Sequence, residues 1–95
     1  MQVHQAGRIG EAQEMYRAFL RAAPDHPEAL HLLGVTWCQL NQPDRGLPHL
    51  KRAVAAMPRH AAARNSLGNA LRAMGRHRDA LAEYDRALAL TPDVA

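Results

Sequence analysis

The chain is poor in the residues from which several classes of protein are built. It has one cysteine, Cys38, so neither an internal disulfide framework nor a cysteine-rich zinc site can form, which leans toward a reducing compartment without deciding it. Aromatic residues make up only 4%, which argues against a β-sandwich core and against the interleaved aromatic and basic residues of a nucleic-acid binder. No apolar run approaches the roughly 20 residues needed to span a bilayer, and no charged-then-apolar leader follows Met1, which reads as a cytoplasmic chain with no membrane partner. With 95 residues there is room for one small core, hiding only about 60 to 65% of the unfolded surface, so surface binding is expected in place of a deep enclosed active site.

Alanine and arginine are abundant. The 19 alanines favour closely approaching helices, and 11 of the 12 basic residues are arginine, against nine acidic ones. The net charge of +3 is mild, but from Arg45 to Arg78 there are eight basic residues and no acidic one. That bias suits an acidic peptide or protein patch, although the arginines point in different directions around their helices.

A repeat organises the chain. Pro24, Pro58 and Pro92 are each 34 residues apart, and Gly34 and Gly68 keep the same spacing, preceded by Leu33 and Leu67. Apolar periodicity predicts helices over 9–22, 27–40, 44–56, 61–74 and 78–90, joined by short loops. Small residues followed by an aromatic or leucine four positions on recur in the second helix of each pair: Gly46, Leu50 and Ala53, then Ala80, Tyr84 and Ala87. A glycine inside a helix costs about 1 kcal/mol against alanine, so Gly34 and Gly68 are expected to face a small residue where two backbones approach.

On these residues the chain resembles the tetratricopeptide repeat (TPR) family along essentially its whole length. The stretch Asn65-Ser66-Leu67-Gly68-Asn69-Ala70-Leu71, followed by Gly75, Ala80, Tyr84, Ala87 and Pro92, carries a nearly complete repeat. Leu30, Leu33, Gly34, Trp37, Ala53 and Pro58 carry the middle one, with Asn41 in place of the turn glycine, which predicts an atypical turn. Pro48 is tolerable only in a first turn, so the helix containing it is expected to begin late, after Pro43 or Asp44. Residues Val3 to Ala6 are expected to be the last turn of a missing first helix, with Gly7 as the turn, leaving a truncated first repeat. The resemblance implies an all-α, right-handed solenoid of antiparallel helix pairs, about 2.5 to 3 repeats in one domain: a partial repeat over 1–26 and full repeats over 27–60 and 61–95.

The resemblance further implies a non-catalytic protein-interaction module, because first helices of successive repeats line a concave groove for a peptide or partner protein. By periodicity the groove positions are Glu28, His31, Val35, Cys38 and Gln39 in the middle repeat and Asn65, Asn69 and Arg72 in the next. Paired asparagines can meet a peptide backbone as donor and acceptor at once, and Arg72 can fork onto a carboxylate. The lysine and asparagine clamp of chaperone-tail-binding relatives is not matched, since His31 and Val35 stand in its places and Lys51 lies on a second helix. Asn65 and Asn69 resemble the groove asparagines of O-linked N-acetylglucosamine transferases, but the middle repeat has Leu32 and Val35 at the matching places.

Solenoid ends need a polar cap, and here Tyr16 and Phe19 at one end and Leu81, Tyr84 and Leu88 at the other are expected to be uncovered. Two readings follow: a piece of a larger solenoid, including the helical part of a glycosyltransferase- or sulfotransferase-like enzyme, or a chain that self-associates into a homo-oligomer through those ends. No metal or other cofactor is expected. His26 with His31, and His77 with Asp79, lack the i, i+4 spacing of a helical zinc pair, and no nucleophile stands in a recognisable set with a base.

Overall fold

In the computed structural model, the backbone is described for residues 2–90 and the side chains for residues 7–90. Five helices follow one another: α1 (Gln2–Ala22), α2 (Pro27–Gln39), α3 (Pro43–Ala56), α4 (Ala61–Ala73) and α5 (His77–Leu90). No strand occurs among the described residues. Each helix packs on its neighbours in sequence, α2 also touches α4, and neither α1 and α3 nor α3 and α5 come together. The result is an all-α solenoid in which α2 pairs with α3 and α4 with α5. Pro92, expected to turn the chain after α5, lies outside the described residues.

The backbone approaches are where glycine predicts them, with one change of partner. A Cβ on Gly34 would stand 2.6 Å from Leu50 Cγ, and one on Gly46 would stand 2.5 Å from the Gly34 carbonyl oxygen, so α2 and α3 meet glycine against glycine. At Gly68 the neighbour is not a small residue but the ring of Tyr84, whose Cε1 would lie 2.7 Å from an added Cβ. Around these contacts Leu30 and Leu50 are the largest fully buried side chains. A cluster containing Leu47, Val54, Leu67 and Leu71 carries the core through α3 and α4. Most of the helical stability comes from this apolar stripe, since helices of 13 or 14 residues are marginal alone.

Three local expectations are corrected. The first concerns α1, which runs unbroken for 21 residues through Gly7 and Gly10, so residues 3–6 do not end a separate helix and Gly7 is not a turn. Neither glycine has anything within 4 Å of an added Cβ, and the good helix formers Glu11, Ala12, Gln13 and Glu14 follow with no proline to stop the chain. The second concerns α3, which begins at Pro43 and passes through Pro48. Pro48 is exposed, so the missing donor and the ring are accommodated on the solvent side.

The third concerns the α2–α3 turn. Asn41 adopts φ 61°, the left-handed conformation that Gly75 takes at φ 79° between α4 and α5. Asn41 N donates to Cys38 O (2.9 Å) and Gln42 N to Trp37 O (2.9 Å), matching Gly75 N to Arg72 O (2.9 Å) and Arg76 N to Leu71 O (2.8 Å). Both turns are therefore the same two-bond helix stop, and asparagine serves because it tolerates the left-handed region better than other side chains do.

Candidate partner-binding faces

Two histidines one repeat apart start the helices that carry the predicted groove. His26 Nδ1 accepts from Ala29 N (3.2 Å) at the head of α2, and His60 Nδ1 accepts from Ala63 N (3.1 Å) at the head of α4. Each satisfies a backbone donor that a helix N-terminus leaves open. The sequence carries this signal in the 34-residue spacing of the two histidines, but imidazole is not among the common caps, so helix-start rules do not single them out.

The two helices are then locked together. His31 is buried, with Nε2 2.9 Å from Ser66 Oγ on α4 and its ring edge-on to His60 at 5.7 Å between centroids. Its Nδ1 lies 3.5 Å from Glu28 Oε1, close enough for attraction but at the limit of a hydrogen bond. Burial pushes the His31 pKa below its ordinary value, and this outweighs the opposing pull of Glu28. His31 is thus a strut between helices and not an open groove residue, which corrects the expectation for that position.

Of the other predicted groove residues, Glu28, Gln39, Asn65, Asn69 and Arg72 are exposed. Val35 and Cys38 are half-buried and pack against the core cluster, so neither stands free for a ligand. Burial also pushes the Cys38 thiol up, which keeps it protonated and a poor nucleophile. Asn69 is engaged: Tyr84 Oη donates to its Oδ1 at 2.6 Å. The face that remains open along α2 and α4 is held by Glu28, Gln39, Asn65 and Arg72. It runs into a recess of about 440 Å³ between α4 and α5, lined by Asn65, Ala61, Ala62 and Leu88.

The ends of the stack differ from each other. On α1, Phe19 is 53% and Met15 is 70% exposed, and with half-buried Tyr16 they border an apolar cleft of about 220 Å³ reaching Ala29 and Leu32. The Phe19 ring meets His26 edge-on at 4.6 Å. On α5, Leu81 and Leu88 are 61% and 64% exposed. Tyr84 is half-buried: its ring turns back onto Gly68, and it lines the recess between α4 and α5 beside Leu88.

A third region was not anticipated. Between α1 and α3, over the side of α2 turned away from Glu28 and His31, lies a cleft of about 440 Å³ walled by Arg17, Arg21, His49 and Arg52 and floored by Leu30, Leu33 and Trp37. The guanidinium carbons of Arg17 and Arg45 lie 5.6 and 5.2 Å from the Trp37 ring centroid. Linear spacing could not reveal it, because its walls are more than 25 residues apart and meet only through α2. Among the described residues no three His, Cys, Asp or Glu side chains gather as a metal site requires, and no helix is long and apolar enough to cross a membrane.

Comparison with known proteins agrees with this architecture. The family profile for the tetratricopeptide repeat matches residues 5–40 and 38–95. A mutant of the O-GlcNAc transferase of Thermobaculum terrenum superposes with a TM-score of 0.84 and is 35% identical over 96% of this chain, which spans 18% of that one. MamA of MSR-1 superposes with a TM-score of 0.78 and is 30% identical over 93% of this chain, which spans 51% of that one. No curated protein matches the chain in sequence.

Proposed function

The chain belongs to the tetratricopeptide repeat family, and from that premise we propose that it is a non-catalytic protein-interaction module that receives a peptide or partner protein along α2 and α4. The observation carrying this reading is the contact between His31 and Ser66, which joins the helix that exposes Glu28 and Gln39 to the helix that exposes Asn65 and Arg72. A pre-ordered face of mixed polar groups leaves the ordering cost to the ligand and can meet an extended backbone with donors and acceptors together. The test is affinity capture with the double variant Asn65→Ala/Arg72→Ala beside the parent chain. A partner kept by the parent and lost by the variant supports the face; equal capture by both removes it. Asn69 is left intact in that test because its bond to Tyr84 makes it part of the fold.

Exposed Phe19, Met15, Leu81 and Leu88 favour a second reading, in which the two ends of the stack cover each other in a homo-oligomer. Light scattering on the parent and on Leu81→Glu/Leu88→Glu decides it, since a monomer at all concentrations in the parent excludes it. The likeness to a transferase in which this chain spans 18% of the length keeps the reading as the helical part of a larger enzyme, tested by assaying transfer with and without this segment in the longer protein.

A further inference from the structure

The cleft between α1 and α3 combines an apolar floor with a cationic rim. Its floor is apolar, with Leu30 and Leu33 buried and Trp37 half-buried, while its rim is a ring of guanidinium groups. Two of these are engaged only at the surface. Arg52 reaches Asp25 at 2.7 Å and the Pro24 carbonyl at 3.1 Å, and Arg17 reaches Glu14 at 3.3 Å. Both pairs are exposed, and such pairs contribute little, so an incoming carboxylate exchanges for a partner already half in water. Arg21 and Arg45 have no carboxylate partner among the described residues, and Arg45 is steadied by the Trp37 ring. The cleft also contains an unspent polar atom: His49 Nδ1 is buried and makes no hydrogen bond.

We propose that this cleft binds an acidic peptide segment in which a glutamate or aspartate stands beside an apolar residue. The carboxylate is held at Arg21, which lines the cleft with no carboxylate partner among the described residues, and the apolar side chain enters over Leu30 and Leu33 beside Trp37. Guanidinium groups suit this recognition, because a planar fork matches a carboxylate with two parallel bonds. Nucleic acid fits less well. Single-strand binders need free aromatic faces for stacking along a basic track, whereas the only indole here already carries two guanidinium groups and the cationic rim closes around an apolar pocket. The site lies across α2 from the Glu28, Asn65 and Arg72 face, so it is a second docking position independent of the one proposed above.

Trp37 is the only tryptophan, which makes its emission a direct report on the cleft. The experiment titrates the full chain with a blocked heptapeptide of alternating glutamate and leucine, with the glutamine counterpart as control, and repeats both by calorimetry. A saturable change in emission with the glutamate peptide, absent with the glutamine peptide, is expected. Arg21→Glu should weaken binding at least about tenfold, and raising the salt past the range where the Debye length falls below about 8 Å should weaken it as well. Asn65→Ala/Arg72→Ala should leave it unchanged. Arg21→Gln, at an exposed position, gives the same direction of effect if the charge reversal folds poorly by circular dichroism. The proposal is overturned by any of four results: no saturation up to millimolar peptide, equal binding of the glutamine peptide, indifference to the arginine changes in calorimetry, or an oligothymidylate of equal charge binding more tightly than the peptide. Loss of binding in the Asn65→Ala/Arg72→Ala variant alone would move the acidic ligand to the other face and also overturn it.

Discussion

His31 Nε2 and Ser66 Oγ, 35 residues apart, meet at 2.9 Å and tie α2 to α4. This bond joins the two helices whose exposed polar residues form the proposed partner face, and it sits where burial works against the charged imidazole. The face is therefore ordered by a group that prefers to be neutral.

Stability should fall as acid is added. Burial lowers the pKa of His31, and burial together with Arg52 and Arg17 lowers that of His49. For a histidine with a depressed folded pKa, the unfolded chain binds the proton first, so stability is full above the unfolded value near 6.5 and declines as pH drops through and below it. Urea unfolding at pH 7.5 and pH 5 should show a lower midpoint at pH 5. His31→Gln should shrink that difference, and an unchanged difference would assign it elsewhere.

The glycines should divide into two groups. Gly34→Ala places a methyl against Leu50 and should cost about 1 to 3 kcal/mol by overpacking. Gly10→Ala meets nothing within 4 Å in a continuous helix and should gain up to about 1 kcal/mol. Thermal or urea midpoints read both, and a stabilised Gly34→Ala would show that α2 and α3 separate at little cost.

Asn41 should behave as a turn glycine in disguise. With φ 61°, Asn41→Gly should hold or raise stability by a few tenths of a kcal/mol, while Asn41→Val should cost about 1 to 2 kcal/mol through strain in the left-handed region. Equal midpoints for the two variants would mean the turn has relaxed to another form.

The pair Arg64 and Glu83, 3.0 Å apart, should be worth more than the other ion pairs. Their side chains are 17% and 12% exposed, and Glu83 also meets Arg86 at 2.8 Å. Glu83→Gln leaves a shielded guanidinium with weaker compensation and should cost about 1 to 3 kcal/mol. Arg17→Gln, which breaks an exposed pair, should shift the unfolding midpoint much less. A ranking in the opposite order would show that α5 is not anchored on α4 through this contact.

The spacing of Pro24 and Pro58, the leucine before each helical glycine and the small-residue stripes were enough to place five helices within a residue or two at nearly every end, because helix start, stop and apolar period are local properties of the chain. Where local rules were close to balance, the outcome went the other way: Gly7, expected as a turn, stayed inside α1, and α3 began at Pro43 itself. The candidate partner faces were legible only in part. Periodicity placed Glu28, Gln39, Asn65 and Arg72 on open surface, yet the same periodicity put His31 there, and a contact from α4 buries it. What the sequence by itself determined is the repeat and the family it belongs to, since these rest on spacing within one helix pair. What only the tertiary structure decided is which side chains are spent holding the stack and which are free, together with the arginine-rimmed cleft over Trp37. Those depend on which distant segments meet when α1 and α3 stand apart over α2, a long-range outcome of packing that no short window of residues contains.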